Sequence, residues 1–262
     1  MSVFERTEML LGRESVEKLK NCHVAVFGVG GVGGHCAEAL ARSGVGKLTL
    51  IDGDTVAESN LNRQIIATRE TVGMAKTEAA AKHIRAIIPE CDVECRQVFV
   101  LPEVLESWDF TAFDYVVDAI DTVSAKLTIA KICGRLGIPA ISAMGAGNKL
   151  DPTRFEVTDI YKTSVCPLAS VMRRELRKAG VPSLKVVYSR EPALRPEFQP
   201  DDEMETEENI TTDETGGKPF RKKTTPASCA FVPAAAGLIM AGEVVRDLCA
   251  DELRRSLENR GK

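Results

Sequence analysis

The chain has 262 residues, of which 44% are hydrophobic and 27% are charged, with a formal net charge of −4. This composition is typical of a folded globular protein and does not favour a membrane or nucleic-acid protein, although a local basic patch remains compatible with RNA binding. The acidic residues near the N-terminus do not fit a signal peptide, and no apolar run reaches the roughly 18 residues that span a bilayer. We therefore predict a cytoplasmic protein that does not enter the membrane.

Strand and helix patterns alternate over the first half of the chain. The predicted strands are 23–28, 47–52, 92–100, 113–121 and 138–147. The predicted helices are 33–44, 73–88 and 125–137. Strands separated by helices of this length indicate βαβ units, so we predict a parallel sheet flanked by helices.

The pattern changes in the second half. Predicted strands at 154–160 and 184–190 flank a basic helix at 167–180. The segment at about 191–225 is rich in Pro, Glu, Asp and Thr and has little apolar content, which predicts a solvated, mobile loop. A small-residue, apolar helix over 227–249 is predicted to pack back on the sheet.

The eight cysteines are scattered along the chain and include no C-x-x-C pair. This spacing gives structural zinc weak support, and a disulfide framework is not expected in a reducing compartment. We expect most of them to be small buried side chains. They are Cys22, Cys36, Cys91, Cys95, Cys133, Cys166, Cys229 and Cys249.

A glycine-rich turn, GVGGVGG, follows the first strand at 28–34. Its glycines allow a sharp turn, let a phosphate approach the backbone and let helix and strand pack closely. A phosphate there meets the N-terminus of the next helix, whose unpaired N–H groups and dipole favour negative charge. The turn therefore predicts a nucleotide-binding site that includes Gly28, Gly30, Gly31 and Gly33.

Acidic and polar residues follow the second strand. Asp52 ends that strand, at the position where a carboxylate accepts hydrogen bonds from a ribose. Together with the glycine turn, such a carboxylate commonly indicates an NAD or FAD site. The alternative is a glycine-rich turn that binds no ligand. A further polar run then comprises Asp54, Asn60, Asn62, Arg63 and Gln64, with Lys76 near the start of a helix. Cations beside a phosphate turn suit a triphosphate that is to be cleaved. The run therefore favours ATP over a nicotinamide cofactor, unless Arg63 and Lys76 are ordinary surface charges.

These motifs in series resemble the ubiquitin-activating-enzyme-like superfamily, which includes the ThiF, MoeB and HesA proteins. The resemblance rests on GxGGxG, D-x-D, SNLNRQ, VGMAK and DAID, and it covers roughly residues 3–165. It implies adenylation of a carboxylate with ATP, as bacterial members do for sulfur-carrier proteins. The stretches RTEMLLG, NLNRQIIAT, DAIDTVSAK, MGAGNKLDPTRFEVTDIYKTSVCPLA and SCAFVP are most similar to the tRNA threonylcarbamoyladenosine dehydratase group.

The resemblance also implies a role for each residue that matches a family motif. The turn glycines hold the α and β phosphates, Asp52 binds the ATP ribose, and Asp121 is the magnesium-linked aspartate. A single carboxylate with phosphate oxygens and waters is adequate for Mg²⁺. The implied phosphate contacts are Asn60, Arg63 and Lys76. The complete nucleotide-binding set is Gly28, Gly30, Gly31, Gly33, Asp52, Asp54, Asn60, Arg63, Gln64, Lys76 and Asp121.

A homodimer is implied by Arg6, which matches an arginine that reaches from one subunit into the nucleotide site of the other in this superfamily. In that interpretation, Arg6 joins Arg63, Lys76 and Asp121 in the catalytic set. An ordinary exposed arginine near a frayed terminus is the alternative.

The alternating elements and the glycine turn predict a Rossmann-like, doubly wound α/β fold with a mainly parallel sheet, flanking helices and an added C-terminal strand and helix region. With the resemblance, we predict one domain over residues 1–262. Its nucleotide-binding core would be 1–150, and 151–262 would serve substrate and dimer contacts.

The implied reaction is ATP-dependent adenylation of the carboxylate of N6-threonylcarbamoyladenosine in tRNA, followed by ring closure with loss of water. The alternatives are adenylation of a ubiquitin-like sulfur-carrier protein, NAD-dependent oxidoreduction, and a non-catalytic nucleotide-binding scaffold. The missing C-x-x-C zinc ligands argue against the first alternative. Basic clusters at 173–178 and 218–223 give suggestive support for tRNA contact, although solvated surface charge explains each of them equally simply.

Two cysteines are candidates for a thioester-forming nucleophile. These are Cys229 in SCAFVP, which we include in the catalytic set, and Cys166 in SVCPLA. An intramolecular ring closure does not strictly need an enzyme thiol, and a buried structural role is the alternative for each.

Overall fold

The computed structural model describes residues 2–198 and 226–260, and this part of the chain contains one seven-stranded sheet. The strands are β1 (His23–Phe27), β2 (Lys47–Ile51), β3 (Asp92–Arg96), β4 (Tyr115–Asp118), β5 (Ala140–Ala143), β6 (Phe155–Asp159) and β7 (Lys185–Ser189). Their spatial order is β3-β2-β1-β4-β5-β7-β6, with β6 antiparallel to β7 and the other pairs parallel. The predicted Rossmann-like, mainly parallel α/β fold is confirmed.

Helices cover both faces of the sheet. In the described residues they are α1 (Glu5–Leu11), α2 (Arg13–Lys20), α3 (Gly33–Ser43), α4 (Lys76–Ile87), α5 (Pro102–Glu106), α6 (Val123–Leu136), α7 (Pro167–Lys178), α8 (Phe231–Leu248) and α9 (Ala250–Arg260). Buried side chains of α3, α4 and α8 pack on one face, and those of α5, α6 and α7 pack on the other. None of these helices is both long enough and apolar enough to cross a bilayer.

The central strand β1 is buried on both faces, which explains its continuous apolar sequence. Val24 and Val26 face the side of α3 and α8, whereas Ala25 and Phe27 face the side of α5 and α6. The ring of Phe27 stacks on Phe110 with centroids 5.7 Å apart. Burial of each such large apolar side chain contributes about 1.5–3 kcal/mol, so this strand anchors the edge that carries the glycine turn.

Several boundaries differ from the sequence prediction. The helix predicted over 73–88 begins at Lys76, because Gly73 has φ +87° and Ala75 still bridges to Thr55. The strand predicted over 92–100 ends at Arg96. The short helices α1, α2, α5 and α9 were not predicted, since their apolar periodicity is brief and tertiary contacts decide them.

Strands from both sides of residue 150 join the same sheet, so β6 and β7 extend the nucleotide-binding half rather than forming a separate layer. The assignment of 151–262 to substrate and dimer contacts stays a prediction. Of the segment predicted to be a mobile loop, residues 199–225 lie outside the described residues, together with the basic cluster at 218–223. The part of this segment that the structure describes begins with Glu191. Because Glu191 is only 8% exposed, the prediction of a solvated loop is wrong at this residue.

The topology predicts where a ligand binds. Because β1 lies between β2 and β4, the connections leaving β1 and β4 run to opposite halves of the sheet and leave a crevice at the carboxyl ends. The glycine turn after β1, the acidic end of β2 and the loop after β4 all meet at this edge.

Candidate nucleotide site

A cavity of about 530 Å³ occupies this crevice. Most of the predicted nucleotide-binding residues line it, although they come from five different stretches of the chain. They are Gly28, Gly30, Gly31, Asp52, Asp54, Asn60, Arg63, Gln64, Lys76 and Asp121. The tertiary structure therefore brings the predicted set together, while the chemical role of each member stays a prediction.

The glycines of the turn divide into two kinds. A Cβ added at Gly28, which has φ +84°, would lie 2.7 Å from the carbonyl oxygen of Ala119, and one at Gly33 would lie 1.8 Å from that of Gly28. These two glycines are required for close backbone packing. Gly30 and Gly31 line the cavity, as Gly28 also does, but a Cβ added at either would lie no closer than 3.2 Å to the surrounding atoms. Gly33 was predicted to hold phosphate, but it is not among the described residues that line the cavity.

Asp52 fastens the turn to the end of β2. Its Oδ2 accepts a hydrogen bond from the backbone N–H of Val29 at 2.7 Å, and its Oδ1 accepts one from that of Asp54 at 2.9 Å. Each carboxylate oxygen retains acceptor capacity beyond these bonds. Asp52 is therefore held in a defined orientation at the cavity wall, as a ribose contact requires.

The polar run after β2 forms a short 3-10 turn, Glu58–Asn60, beside the cavity. Asn60 lines the cavity, and its Oδ1 accepts a hydrogen bond from the N–H of Ala57 at 3.1 Å. The Oε1 atom of Gln64 is buried and lacks a hydrogen-bond partner among the described residues. A buried amide oxygen without a partner at a cavity wall indicates that a ligand or a water completes its hydrogen bonding.

Two cations reach the cavity. Arg63 is held by hydrogen bonds from Nη1 to the carbonyl of Ser59 and to Asn62 Oδ1, both at 2.8 Å. Lys76, the first residue of α4, has only 10% of its side chain exposed and pairs with Asp54 at 2.6 Å. A guanidinium makes five donors available and an ammonium three, so both cations keep donors for phosphate oxygens.

Asp121 lies exposed in the loop after β4, at the cavity wall. The adjacent Thr122 Oγ1 is 3.5 Å from its Oδ1. No group of three or more His, Cys, Asp or Glu side chains able to hold a metal occurs in the residues that the structure describes. A metal ion at Asp121 would therefore need most of its ligands from the nucleotide and from water.

The cavity also has an apolar wall that the sequence did not predict. Phe99, Val100 and Leu101 follow β3 and line the cavity, with Phe99 65% exposed. Gly53 makes room for this wall, because a Cβ there would lie 2.6 Å from Phe99 Cδ1. The signal was the apolar run in QVFVLP, most of which lies within the strand predicted at 92–100.

A buried ion pair beneath the cavity was also missed. Asp118 at the end of β4 is 2% exposed and lies 3.0 Å from the ammonium of Lys126 in α6, which is fully buried. Ser142 Oγ donates to Asp118 Oδ2 at 2.6 Å, and Lys126 Nζ also donates to the carbonyl of Ile120 at 3.1 Å. This network holds the backbone immediately before Asp121.

Three other predicted residues are not among the described residues that line the nucleotide cavity. Arg6 is exposed on α1 and is not among the described residues that line it. Cys166 is 3% exposed, whereas Cys229 is partly exposed and lines a second, adjoining cavity.

The basic cluster at 173–178 already has partners within the chain. Arg173 donates to the carbonyl of Thr163 at 3.0 Å, and the Arg177 guanidinium lies 5.1 Å from the ring centroid of Tyr161. Lys178 pairs with Glu175 at 3.1 Å. Contact between this cluster and tRNA stays a prediction.

The fold and the cavity define a nucleotide-binding α/β protein of the Rossmann type. A model of the ThiF family matches residues 4–260, and the chain belongs to this family. The predicted resemblance is thus confirmed.

Within this family, the chain is similar to proteins named as dehydratases. The tRNA threonylcarbamoyladenosine dehydratase of Bacillus subtilis is 45% identical over 255 residues, which are 96% of this chain and 97% of the relative. The dehydratase of the same name from Escherichia coli is 44% identical over 174 residues, 66% of this chain and 65% of the relative. A crystal structure of the E. coli enzyme in complex with ATP has a TM-score of 0.81 at 33% identity and covers 96% of this chain and 95% of that chain.

Proposed function

We propose that this chain is an ATP-dependent tRNA threonylcarbamoyladenosine dehydratase, which converts the threonylcarbamoyl modification of adenosine in tRNA to its cyclic form. The observation that carries the proposal is the 45% identity to a dehydratase over 96% of the chain. The cavity supports it, because glycines, cations and an exposed carboxylate meet there in an arrangement that suits ATP.

Adenylation makes a carboxylate reactive towards a nucleophile. A carboxylate is a poor electrophile, because its leaving group would be oxide. An oxygen of the substrate carboxylate attacks the α-phosphorus of ATP, the bond to the β-phosphate breaks, and pyrophosphate leaves. A nucleophile within the same modification then attacks the acyl carbon and loses its proton, and AMP departs with the original carboxylate oxygen. The modification has lost the elements of one water.

The residues present suit each part of the nucleotide. The open backbone at Gly30 and Gly31, next to the N-terminus of α3, would face the phosphates, and Asp52 would accept hydrogen bonds from the ribose. Phe99 offers a large exposed face to the adenine ring. Arg63 would stabilise the charge that develops during transfer, since a fixed cation costs no reorganisation in the transition state.

Mg²⁺ fits this site. The exposed carboxylate of Asp121 lines the cavity, and Mg²⁺ usually takes one or two carboxylates together with phosphate oxygens and waters. When bound, it would neutralise phosphate charge and favour departure of pyrophosphate. Asp121 would orient the ion and the phosphates from the loop after β4.

A homodimer is part of the proposal. Arg6 lies exposed on α1, outside the cavity of its own subunit, which is compatible with a contribution to the nucleotide site of a second copy. Light scattering during size-exclusion chromatography tests this state, and a monomer at working concentration would contradict it.

A cytoplasmic location stays a prediction, and so do a nucleophilic role for Cys229 and a sulfur-transfer partner.

The direct test is incubation of the purified chain with ATP, Mg²⁺ and threonylcarbamoylated tRNA, followed by mass spectrometry of the nucleosides. We expect a modified adenosine lighter by one water, formed together with AMP and pyrophosphate, and none in the control without ATP. Unchanged mass with every threonylcarbamoylated tRNA would contradict the proposal. Parallel reactions with a Gly-Gly-ended carrier protein, and a comparison of NAD and ATP affinity, test the two lower-ranked alternatives.

Phe99→Ala is expected to weaken ATP binding by about two- to twelve-fold, because an aromatic contact contributes about 0.5–1.5 kcal/mol beyond its buried area. Calorimetric titration with ATP measures the effect. Phe198→Ala is the matched control, since Phe198 is 68% exposed but is not among the residues that line the nucleotide cavity. Equal ATP affinity of the Phe99 variant and the wild type would remove Phe99 from the adenine site.

A further inference from the structure

A second cavity, of about 280 Å³, adjoins the nucleotide cavity. Three segments distant in sequence form it: 148–150, 194–197 and 227–229. Ser228 lines both cavities, so the two spaces share a wall. None of the residues assigned above to the nucleotide lines this second cavity.

Hydrogen bonds through Asn148 hold the three segments together. Its backbone N–H donates to the carbonyl of Ala227, and the N–H of Ala227 donates back to Asn148 Oδ1, both at 2.7 Å. The N–H of Leu194 donates to the carbonyl of Asn148 at 2.8 Å. One asparagine thus joins all three walls of the cavity.

A buried carboxylate reinforces the same walls. Glu191 is 8% exposed, and its Oε atoms accept hydrogen bonds from the N–H groups of Leu150 and Asp151, with shortest distances of 3.0 Å. Lys149 Nζ donates to the carbonyl oxygen of Glu191. Burial of an ammonium and a carboxylate costs free energy unless both groups are hydrogen-bonded. These hydrogen bonds therefore fix the positions of the cavity walls.

The second cavity lies at the end of the nucleotide cavity where the cation Arg63 is found. Asn62, the neighbour of Arg63, donates from Nδ2 to the carbonyl of Ser228 at 3.1 Å. Gly147 contacts the same segment closely, because a Cβ there would lie 2.8 Å from Pro226 Cβ. Adenylation needs the acceptor carboxylate about 3–3.5 Å from the phosphorus it attacks, and this shared wall is where such an acceptor would enter.

The lining offers one group for each part of a small amphiphilic acid. Leu150 and Leu194 are 60% and 47% exposed and present apolar surface. Arg195 supplies a cation for a carboxylate, and Glu197 supplies an acceptor for hydroxyl or ureido donors. The volume lies just below the usual range for ligand pockets, about 300–1,000 Å³, so it suits an amino-acid-sized arm rather than a whole nucleotide.

We propose that this second cavity receives the threonylcarbamoyl arm of the modified adenosine, with Leu194 covering its aliphatic part and Arg195 steering its carboxylate towards the wall at Ser228 that the two cavities share. This inference rests on the proposed function and identifies the place where that function distinguishes modified from unmodified tRNA. The flanking Asn148 is a positioning residue, because it shapes the walls through hydrogen bonds within the chain.

The test changes residues of the second cavity and leaves those of the nucleotide cavity unaltered. Leu194→Trp and Arg195→Ala are each expected to lower kcat/KM for threonylcarbamoylated tRNA by about ten-fold or more, because pocket shape and a lost polar partner both discriminate at this level. ATP affinity and the affinity for unmodified tRNA should stay within about two-fold of wild type. The matched controls are Leu136→Trp and Arg135→Ala near the end of α6, where Leu136 is 42% exposed.

The outcomes distinguish failure of this inference from failure of the proposed function. Unchanged kcat/KM in the Leu194 variant overturns the inference while leaving the proposed function intact. Equal losses of affinity for modified and unmodified tRNA also overturn it, because they indicate general contact with the RNA backbone. A wild-type chain that forms no cyclic nucleoside overturns the proposed function and this inference with it. Thermal unfolding of all variants checks that these surface changes leave the fold unaltered.

Discussion

Arg63→Ala is expected to lower kcat for the ATP-dependent cyclisation by about 10²- to 10³-fold, the usual effect of removing one preorganised donor from a transition state. The guanidinium is already oriented by Ser59 and Asn62, so in the proposed reaction it would stabilise developing phosphate charge without reorganising. Single-turnover measurement of pyrophosphate formation, with saturating ATP and modified tRNA, isolates the adenylation step.

Two companion variants make this result specific. Arg69→Ala removes an exposed arginine from the same connection between β2 and α4 and should keep wild-type kcat. Arg63→Lys keeps the charge but loses the planar fork, so only partial recovery is expected. A wild-type kcat for Arg63→Ala would show that this arginine does not contact the reacting phosphates.

Lys126→Met is expected to reduce the free energy of unfolding by about 3–5 kcal/mol, because removing one partner leaves the other buried charge uncompensated. Asp118 is 2% exposed and would keep only its hydrogen bonds from Ser142 and the backbone of Ile120. Urea denaturation followed by circular dichroism measures the change. The loss should exceed that of Lys131→Met, a control on an exposed position of α6.

The double variant Asp118→Asn, Lys126→Met separates charge from packing. Removing both charges abolishes the uncompensated carboxylate, so the double variant should recover a large part of the lost stability. If the single and double variants are equally destabilised, the cost lies in packing of the lysine stem rather than in the buried charge.

Patterns that are local in sequence were predictable. The turn at 28–34 was recognisable because Gly28 and Gly33 have no tolerable substitute where backbones approach this closely. Asp52 was recognisable because it ends a buried strand, and such ends meet at one edge of a parallel sheet. The polar run that contains Arg63 was recognisable as a motif, and it does lie at the cavity.

Contacts between distant segments were not predictable. Phe99 falls in the strand predicted at 92–100, because the strand-like pattern of apolar and polar residues continues past Arg96, where the strand ends. Lys126 falls in the predicted helix at 125–137, but only the position of β4 shows that its partner is the buried Asp118. The same holds for Glu191, which belongs to a stretch of loop-like composition yet is buried against Leu150 and Asp151.

By itself the sequence determined the fold class, the edge of the sheet that binds nucleotide and the family, because strand and helix periods, glycine spacing and acidic strand ends are short-range properties. Tertiary structure decided which side chains share a cavity, which charges are buried and how three remote segments form a second pocket beside the first. These features depend on contacts between residues far apart in the chain, and such contacts form only when the strands and helices have packed.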